Sequence, residues 1–316
     1  MSSAPIADLS YRGYEGTLES PRHRWWVIAR MLILLTFKKR SFWVLAFLAG
    51  LGFYFTTLVL YIFESMAAGP FGGSAQEFFA QIKWKNNFVT CFGWMQMFLL
   101  FITLLAGAGS IANDNRANAL LVYLSKPLRK SDYLLGKWAG IAILVGGVTL
   151  AQFTLFYLYC LMSYRSYGFL SQDPWLYPKL VLLAAVTGSI YASLMVGISS
   201  LFRQGSIAGA TFAGLYFITY FFTTVVEGFR AFQTFDRKGS MPMLDTLYYA
   251  SVDGICYGLG KAILGSDGRP IFQPPNQNLP IVPIPSGFLL GLVALVVCGL
   301  FVWMAWTRIR AVEVVA

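Results

Sequence analysis

The chain has 316 residues, of which 57% are hydrophobic and only 12% charged, with a formal net charge of +10. Ordinary soluble domains carry about a quarter of their residues as charged side chains, so this composition excludes a soluble domain: there is too little charge to cover a water-facing surface. The basic excess suits anionic lipid headgroups, and nucleic acid is excluded as a partner because no soluble domain exists to carry its footprint.

Residues 1–20 read as a polar tail. The segment SPRHRWWVIARMLILLTFKKR (20–40) combines a helix-starting proline, paired tryptophans and a basic finish. That is the chemistry of the headgroup zone, and it predicts a helix lying in the interface. Six apolar runs follow, near 42–63, 88–111, 133–162, 180–201, 205–226 and 286–306. Each supplies the roughly 20 residues of helix that cross a bilayer. Backbone groups in lipid must be satisfied within the segment, and barrel-like alternation is absent. The expected fold class is therefore an all-α polytopic membrane protein. It has six transmembrane helices, an N-terminal interfacial helix and a larger external segment, 227–285, between spans five and six. The chain divides into a cytoplasmic tail with the interfacial helix (1–41), the six-span domain (42–306) and a cytoplasmic tail (307–316). Both termini are placed in the cytoplasm because Lys and Arg concentrate before span one, between spans two and three, after span four and after span six. No cleavable signal peptide is expected.

The loop after span one turns at AAGPFGG (67–73). In the external segment, 243–264 has interrupted helical periodicity and is expected to dip against the outer leaflet or cap the bundle. The stretch DGRPIFQPPNQNLPIVPIP (267–285) has too many prolines for helix or sheet. Small residues recur at four-residue spacing in span four (Ser189, Ser193, Gly197) and span five (Gly205, Gly209, Ala213), which lets helix backbones approach closely. Packing within the chain is expected for the first row. A contact between subunits is open for Gly205, Gly209 and Ala213.

The chemistry excluded is as informative. The central portions of the six runs contain no Asp, Glu, Lys, Arg or His, so no intramembrane proton relay is available. The single histidine, His23, precedes the first span, which removes Ser–His and Cys–His nucleophile pairs and metal sites built on several histidines. Cys91, Cys160, Cys256 and Cys298 show neither a disulfide framework nor paired metal-ligand spacing. No catalytic, cofactor or metal residue is nominated. GICYGLGKA (254–262) fails as a phosphate-binding loop: its spacing is wrong, and Ala262 stands where a hydroxyl would ligate magnesium. Any energy from ATP must enter through another chain.

Between spans two and three the chain reads IANDNRANALLVYLSKPLRKSDYLLGK (111–137). Asn113, Asp114 and Asn115 supply side-chain oxygens suited to capping a helix start, and Asp114 suits its positive end. Ala117, Leu120, Leu121 and Leu124 recur at i, i+3, i+4 and i+7, on one helical face. Pro127 stops that helix, Lys126, Arg129 and Lys130 follow, and Ser131 with Asp132 read as the cap and first turn of span three. The pattern fits an interfacial helix that merely reverses the chain, and equally one that docks into a partner's groove.

This stretch resembles the signature loop of ABC-2 type transporter permeases, the membrane subunits of a large class of ATP-binding cassette exporters. Ile111, Leu120, Ser125, Lys126, Pro127 and the Leu135-Gly136-Lys137 triplet fall in place. Asp114 stands where the family has Glu, Lys130 takes an Arg position, and Asn118-Ala119 replaces Gly-Thr. The span count, the helix before span one, the tight turn SSLFRQGS (199–206) and the outer segment between spans five and six resemble the family as well. The resemblance implies a coupling loop, 112–132, that meets a separate ABC ATPase subunit through Asp114, Arg116, Leu120, Leu121, Leu124, Pro127, Arg129 and Lys130. It also implies a second permease copy or homologue, as homo- or heterodimer, and a plasma (inner) membrane location. ATP and magnesium would bind the partner ATPase, with no cofactor on this chain. The function implied is the membrane-spanning subunit of an ATP-driven exporter. A permease-like scaffold that only transmits a signal, a passive channel, and a membrane enzyme using Asp245 or Asp253 stand as alternatives.

Overall fold

A computed structural model of the chain describes residues 24–67, 79, 82–117, 129–235, 242–269 and 282–309. The polar tail 1–20, most of the turn at 67–73, Leu120, Leu121, Leu124 and Pro127, most of the proline-rich stretch 267–285 and the end of the tail 307–316 lie outside the described residues. Within them all regular structure is helical. In chain order the helices are α1 (Arg24–Phe37), α2 (Arg40–Ala49), α3 (Leu51–Ala67), α4 (Trp84–Gly107), α5 (Ala112–Arg116) and α6 (Lys130–Ser163). Then come α7 (Phe169–Gln172), α8 (Leu176–Leu201), α9 (Gly205–Phe235), α10 (Pro242–Leu247), α11 (Val252–Leu264) and α12 (Gly287–Arg308). Five of them, α4, α6, α8, α9 and α12, are long and apolar enough to cross a bilayer. The pair α2–α3 makes a sixth if it is counted as one span. The protein is an all-α, multi-pass membrane protein.

The first predicted span, 42–63, is not a single straight helix: α2 and α3 meet at Gly50 with a bend of 45°. The Gly50 amide bonds to the Phe47 carbonyl instead of continuing the regular ladder from Ala46. Gln152 of α6 fills the vacancy, its Nε2 donating to the Ala46 carbonyl at 2.9 Å while its Oε1 accepts from the Tyr54 hydroxyl at 2.9 Å. A polar side chain inserted into the hydrogen-bond ladder is a standard cause of a kink. It also leaves no orphaned carbonyl in an apolar surround.

Small residues set the close approaches. The α6–α8 contact is the most extensive in the molecule, and there a Cβ on Gly146 would stand 3.0 Å from the Ala184 carbonyl oxygen. Around that seam α8 becomes the centre of the bundle: 72% of its apolar window is buried, against 22% for α9 and 17% for α12. Those two outer helices present broad apolar faces that the described chain does not cover, including Ile218, Phe221 and Leu295. Helix α1, predicted to lie in the interface, packs along the start of α6, where Gly136 and Gly140 admit the backbone carbonyls of Trp25 and Ala29.

The segment 243–264 is expected from its sequence to dip against the outer leaflet or cap the bundle. It is two helices, not one interrupted helix, with Ser251 capping α11 by accepting from the Gly254 amide at 3.0 Å. Helix α11 does not cap the bundle. It inserts among α4, α8, α9 and α12, with Tyr257 against Gly93 and Gly260 beside Phe92 and Leu183. Gly93 is nine residues into α4, about 13 Å along the helix at 1.5 Å per residue. The C-terminal end of α11 is tied back to the start of α4, where Ser266 donates to Asn86 Oδ1 and Asn86 Nδ2 donates to Asp267, both at 2.7 Å. The helix is therefore re-entrant, entering and leaving from the same end of the bundle. Lys261 travels with it to 3% exposure, its ammonium donating to the Val282 carbonyl at 3.1 Å.

Candidate functional site at the basic end of the bundle

One end of the bundle carries Lys39, Arg116, Arg129, Lys130, Lys137, Arg203 and Arg308. Contacts between them and neighbouring helix ends hold it together. Lys39 donates to the Leu105 carbonyl at 3.0 Å, and the Lys130 ammonium lies 4.8 Å from the centroid of a Trp306 ring. The short helix α5 sits at the middle of this end, following α4 after a turn at 108–111.

The leucine helix that Asn113–Asn115 are expected to cap falls outside the described residues; the asparagines themselves lie within the short helix α5. Ile111 occupies the N-cap position without a side-chain bond. The free amides of Ile111 and Ala112 are met from α8, by Ser199 Oγ at 3.2 and 3.1 Å, and the same hydroxyl donates to the Ala108 carbonyl at 3.0 Å. A single buried serine thus satisfies donors and an acceptor that the end of α4 leaves exposed.

The polar triplet that follows, with Asn113 exposed and Asp114 and Asn115 half-buried, bonds in different directions. Asn113 Oδ1 accepts from the Gly205 amide at 3.2 Å, at the start of α9. Asn115 Nδ2 lies 3.4 Å from the Ser200 carbonyl and 3.3 Å from that of Phe202, in the turn between α8 and α9. Asp114 accepts from the Tyr133 hydroxyl at 2.7 Å and pairs with Lys137 at 2.8 Å, both on α6. The two charged side chains are 20% and 13% exposed, partly withdrawn from water, so their attraction is less screened than that of a surface pair.

The residues expected at a partner contact therefore separate. Asp114 serves an internal joint, while Arg116 and Arg129 are exposed on either side of the loop. Lys130 is half-buried and opens α6, whose first turn is closed by Asp132 accepting from the Arg129 amide at 3.4 Å. The helix start thus lies a residue or two before the predicted Ser131–Asp132 cap. Helix α5 ends at Arg116 with Ala117 as its C-cap, and the leucine face falls outside the described residues. Gly205 and Gly209, candidates for a subunit contact, are used within the chain: they face Gly109 and Ala108 at the end of α4, and the row continues to half-buried Ala213. Ser199, Tyr133 and Lys137 were not singled out by the loop's periodicity. Lys137 and Ser199 stand in the Leu135-Gly136-Lys137 triplet and the SSLFRQGS turn of the family pattern, while Tyr133 has no sequence signal beyond polarity in the first turn of a span.

No curated protein matches the chain. The family described as "ABC-2 family transporter protein" matches residues 22–308, from just before α1 to the end of α12. With nearly its whole length covered, the chain belongs to the ABC-2 transporter family, as a membrane-spanning permease subunit.

Proposed function

We propose that the chain is the permease of an ATP-driven exporter in the plasma (inner) membrane, with both termini cytoplasmic, and that the basic end receives the stroke of a separate ABC ATPase. The observation that carries this reading is the pinning of α5 to α6, α8 and the start of α9. A segment entering the 118–128 loop while bonded to that many helices moves as one body with them. Force applied to the loop is then delivered to the spans instead of being lost in a soft hinge. ATP and magnesium act on the partner, whose closure pulls the loop. Leu120, Leu121 and Leu124 provide the apolar contact, with Arg116, Arg129 and Lys130 at its margins. A second permease copy completes the pathway.

The test is a pull-down from mildly solubilised membranes, comparing the native chain with one carrying Leu120→Asp, Leu121→Asp and Leu124→Asp. Recovery of an ABC ATPase with the native chain alone supports the coupling contact. Equal recovery with both moves the contact elsewhere. A folded native chain that recovers no ATPase favours the passive channel.

A further inference from the structure

A cavity of about 460 Å³ opens at the side of the bundle between α4, α9 and the inserted α11. It is lined by Gln96 from α4, Tyr216 and Tyr220 from α9, Asp253 and Tyr257 from α11, and Glu227 near the far end of α9. Trp94, 74% exposed, stands at its edge.

Two polar atoms at this cavity have no hydrogen-bond partner among the described residues. Gln96 is 2% exposed; its Oε1 accepts from the Tyr191 hydroxyl at 2.9 Å, but its Nε2 has nothing to donate to. Asp253 Oδ1 is buried without a partner among the described residues, although Ser251 and the Gly254 amide hydrogen-bond to the carboxylate. Buried polar groups in folded proteins are nearly always bonded, so an unmet donor and an unmet acceptor in one cavity call for an explanation. Asp253 lies in the first turn of α11, where the helix dipole favours an anion. Among the described lining residues there is no Lys, Arg or His to balance it, and Glu227 adds charge of the same sign. The nearby basic groups are committed: Lys261 to the Val282 carbonyl and the Tyr257 ring, Arg230 to Asp245. Tyr216 and Tyr220 both line the cavity, and their rings lie parallel, 6° apart, so their π-faces share one orientation. Such faces beside a carboxylate attract an ammonium group, and the open, apolar side of the cavity admits a hydrocarbon chain from the membrane.

We infer that this cavity binds a hydrophobic ammonium compound. The cation sits between Asp253 and the tyrosine rings, an acceptor oxygen such as an ester carbonyl meets Gln96 Nε2, and the alkyl chain leaves between α4 and α9. As a statement about cargo this rests on the transporter reading; as a statement about binding it does not. It is therefore tested without nucleotide or partner, so that failure here leaves the ATPase pull-down undecided and the reverse.

The measurement is equilibrium binding of tritiated palmitoylcholine to the full chain in phosphatidylglycerol nanodiscs. Saturable binding is expected, weakened about tenfold or more by Asp253→Asn, since removal of one partner of a desolvated charge pair is costly. Gln96→Leu should weaken palmitoylcholine by roughly tenfold yet leave hexadecyltrimethylammonium, which lacks the ester, unchanged. The uncharged isostere 3,3-dimethylbutyl palmitate should not compete. Competition by the isostere equal to that of unlabelled palmitoylcholine, or undiminished binding to folded Asp253→Asn, overturns the proposal. Should Asp253→Asn fail to fold, the isostere on the native chain and the exposed Glu227→Gln variant, expected to bind a few-fold more weakly, still decide it. Repeating the measurement in phosphatidylcholine nanodiscs identifies the source. Displacement of the probe assigns the site to a lipid headgroup and retention assigns it to a free amphiphile, while non-saturable uptake in both overturns the site.

Discussion

The basic-end joint and the side cavity are both polar places in an apolar chain, and they are built on opposite terms. At the joint Asn113, Asp114, Asn115 and Ser199 close their hydrogen bonds within the chain, to helices far apart in sequence. In the cavity Gln96 Nε2 and Asp253 Oδ1 are left unmet. The difference separates two uses of polarity. A group whose bonds close inside the molecule fixes one helix against another; a group whose bonds stay open is stabilised only when something else arrives. The first suits transmission and the second suits recognition.

The sharpest way to break this contrast is Ser199→Ala. It strips the buried Ile111 and Ala112 amides of their acceptor, and two orphaned donors together should cost about 2–4 kcal/mol. Thermal unfolding in detergent reads it; an unchanged transition would mean water or a shifted α5 replaces the hydroxyl. Next is the Asp114–Lys137 pair. Asp114→Asn and Lys137→Met should each destabilise by about 1–3 kcal/mol, less than a fully buried pair because both side chains keep some exposure. The double variant should recover part of that loss in a double-mutant cycle. In the cavity the effect should be smaller: Asp253→Asn removes a half-buried carboxylate that Ser251 and the Gly254 amide only partly satisfy, and should change stability by no more than about 1 kcal/mol in either direction. A loss like that at the joint would show that Asp253 is a structural group after all.

The smallest effect is expected at the opposite end, where Asp173 pairs with Lys179 at 2.7 Å and Lys85 at 2.9 Å. Burial alone would raise its pKa, but the hydrogen bonds from Lys179 and Lys85 outweigh that and hold the carboxyl below its ordinary value. A depressed folded pKa contributes stability that is complete above the unfolded value and lost as pH falls through the folded one. Acidification below about pH 4 should therefore weaken the native chain by up to about 1 kcal/mol more than Asp173→Asn. Parallel acid profiles of the two would remove the ion pair from the account.

Much of this could be read in advance where a property is local. The spans at 88–111, 133–162, 180–201, 205–226 and 286–306 correspond to α4, α6, α8, α9 and α12, because length and apolarity alone decide whether a segment suits lipid. The loop's unusual polarity pointed to Asn113, Asp114 and Asn115, which bond to helices α6, α8 and α9. What the pattern did not give is α5 itself, whose Ile111 and Ala112 amides are met by Ser199 of another span, a contact that depends on which oxygen lies near in space. The same holds for Gly50: a glycine within an apolar run signals a permitted break, but only Gln152 approaching from α6 turns it into a 45° bend.

By itself, then, the amino-acid order determined an all-helical chain made for a membrane, the family to which the loop belongs, and the absence of charge from the middle of its spans. Hydrophobic length and residue type act along the chain, and nothing distant is needed to evaluate them. Only the tertiary structure decided that Asp114 joins helices and that α11, with Asp253 and Lys261, enters the bundle. Both are outcomes of which polar groups find partners across long sequence separations, a matter of position in space that no local pattern encodes.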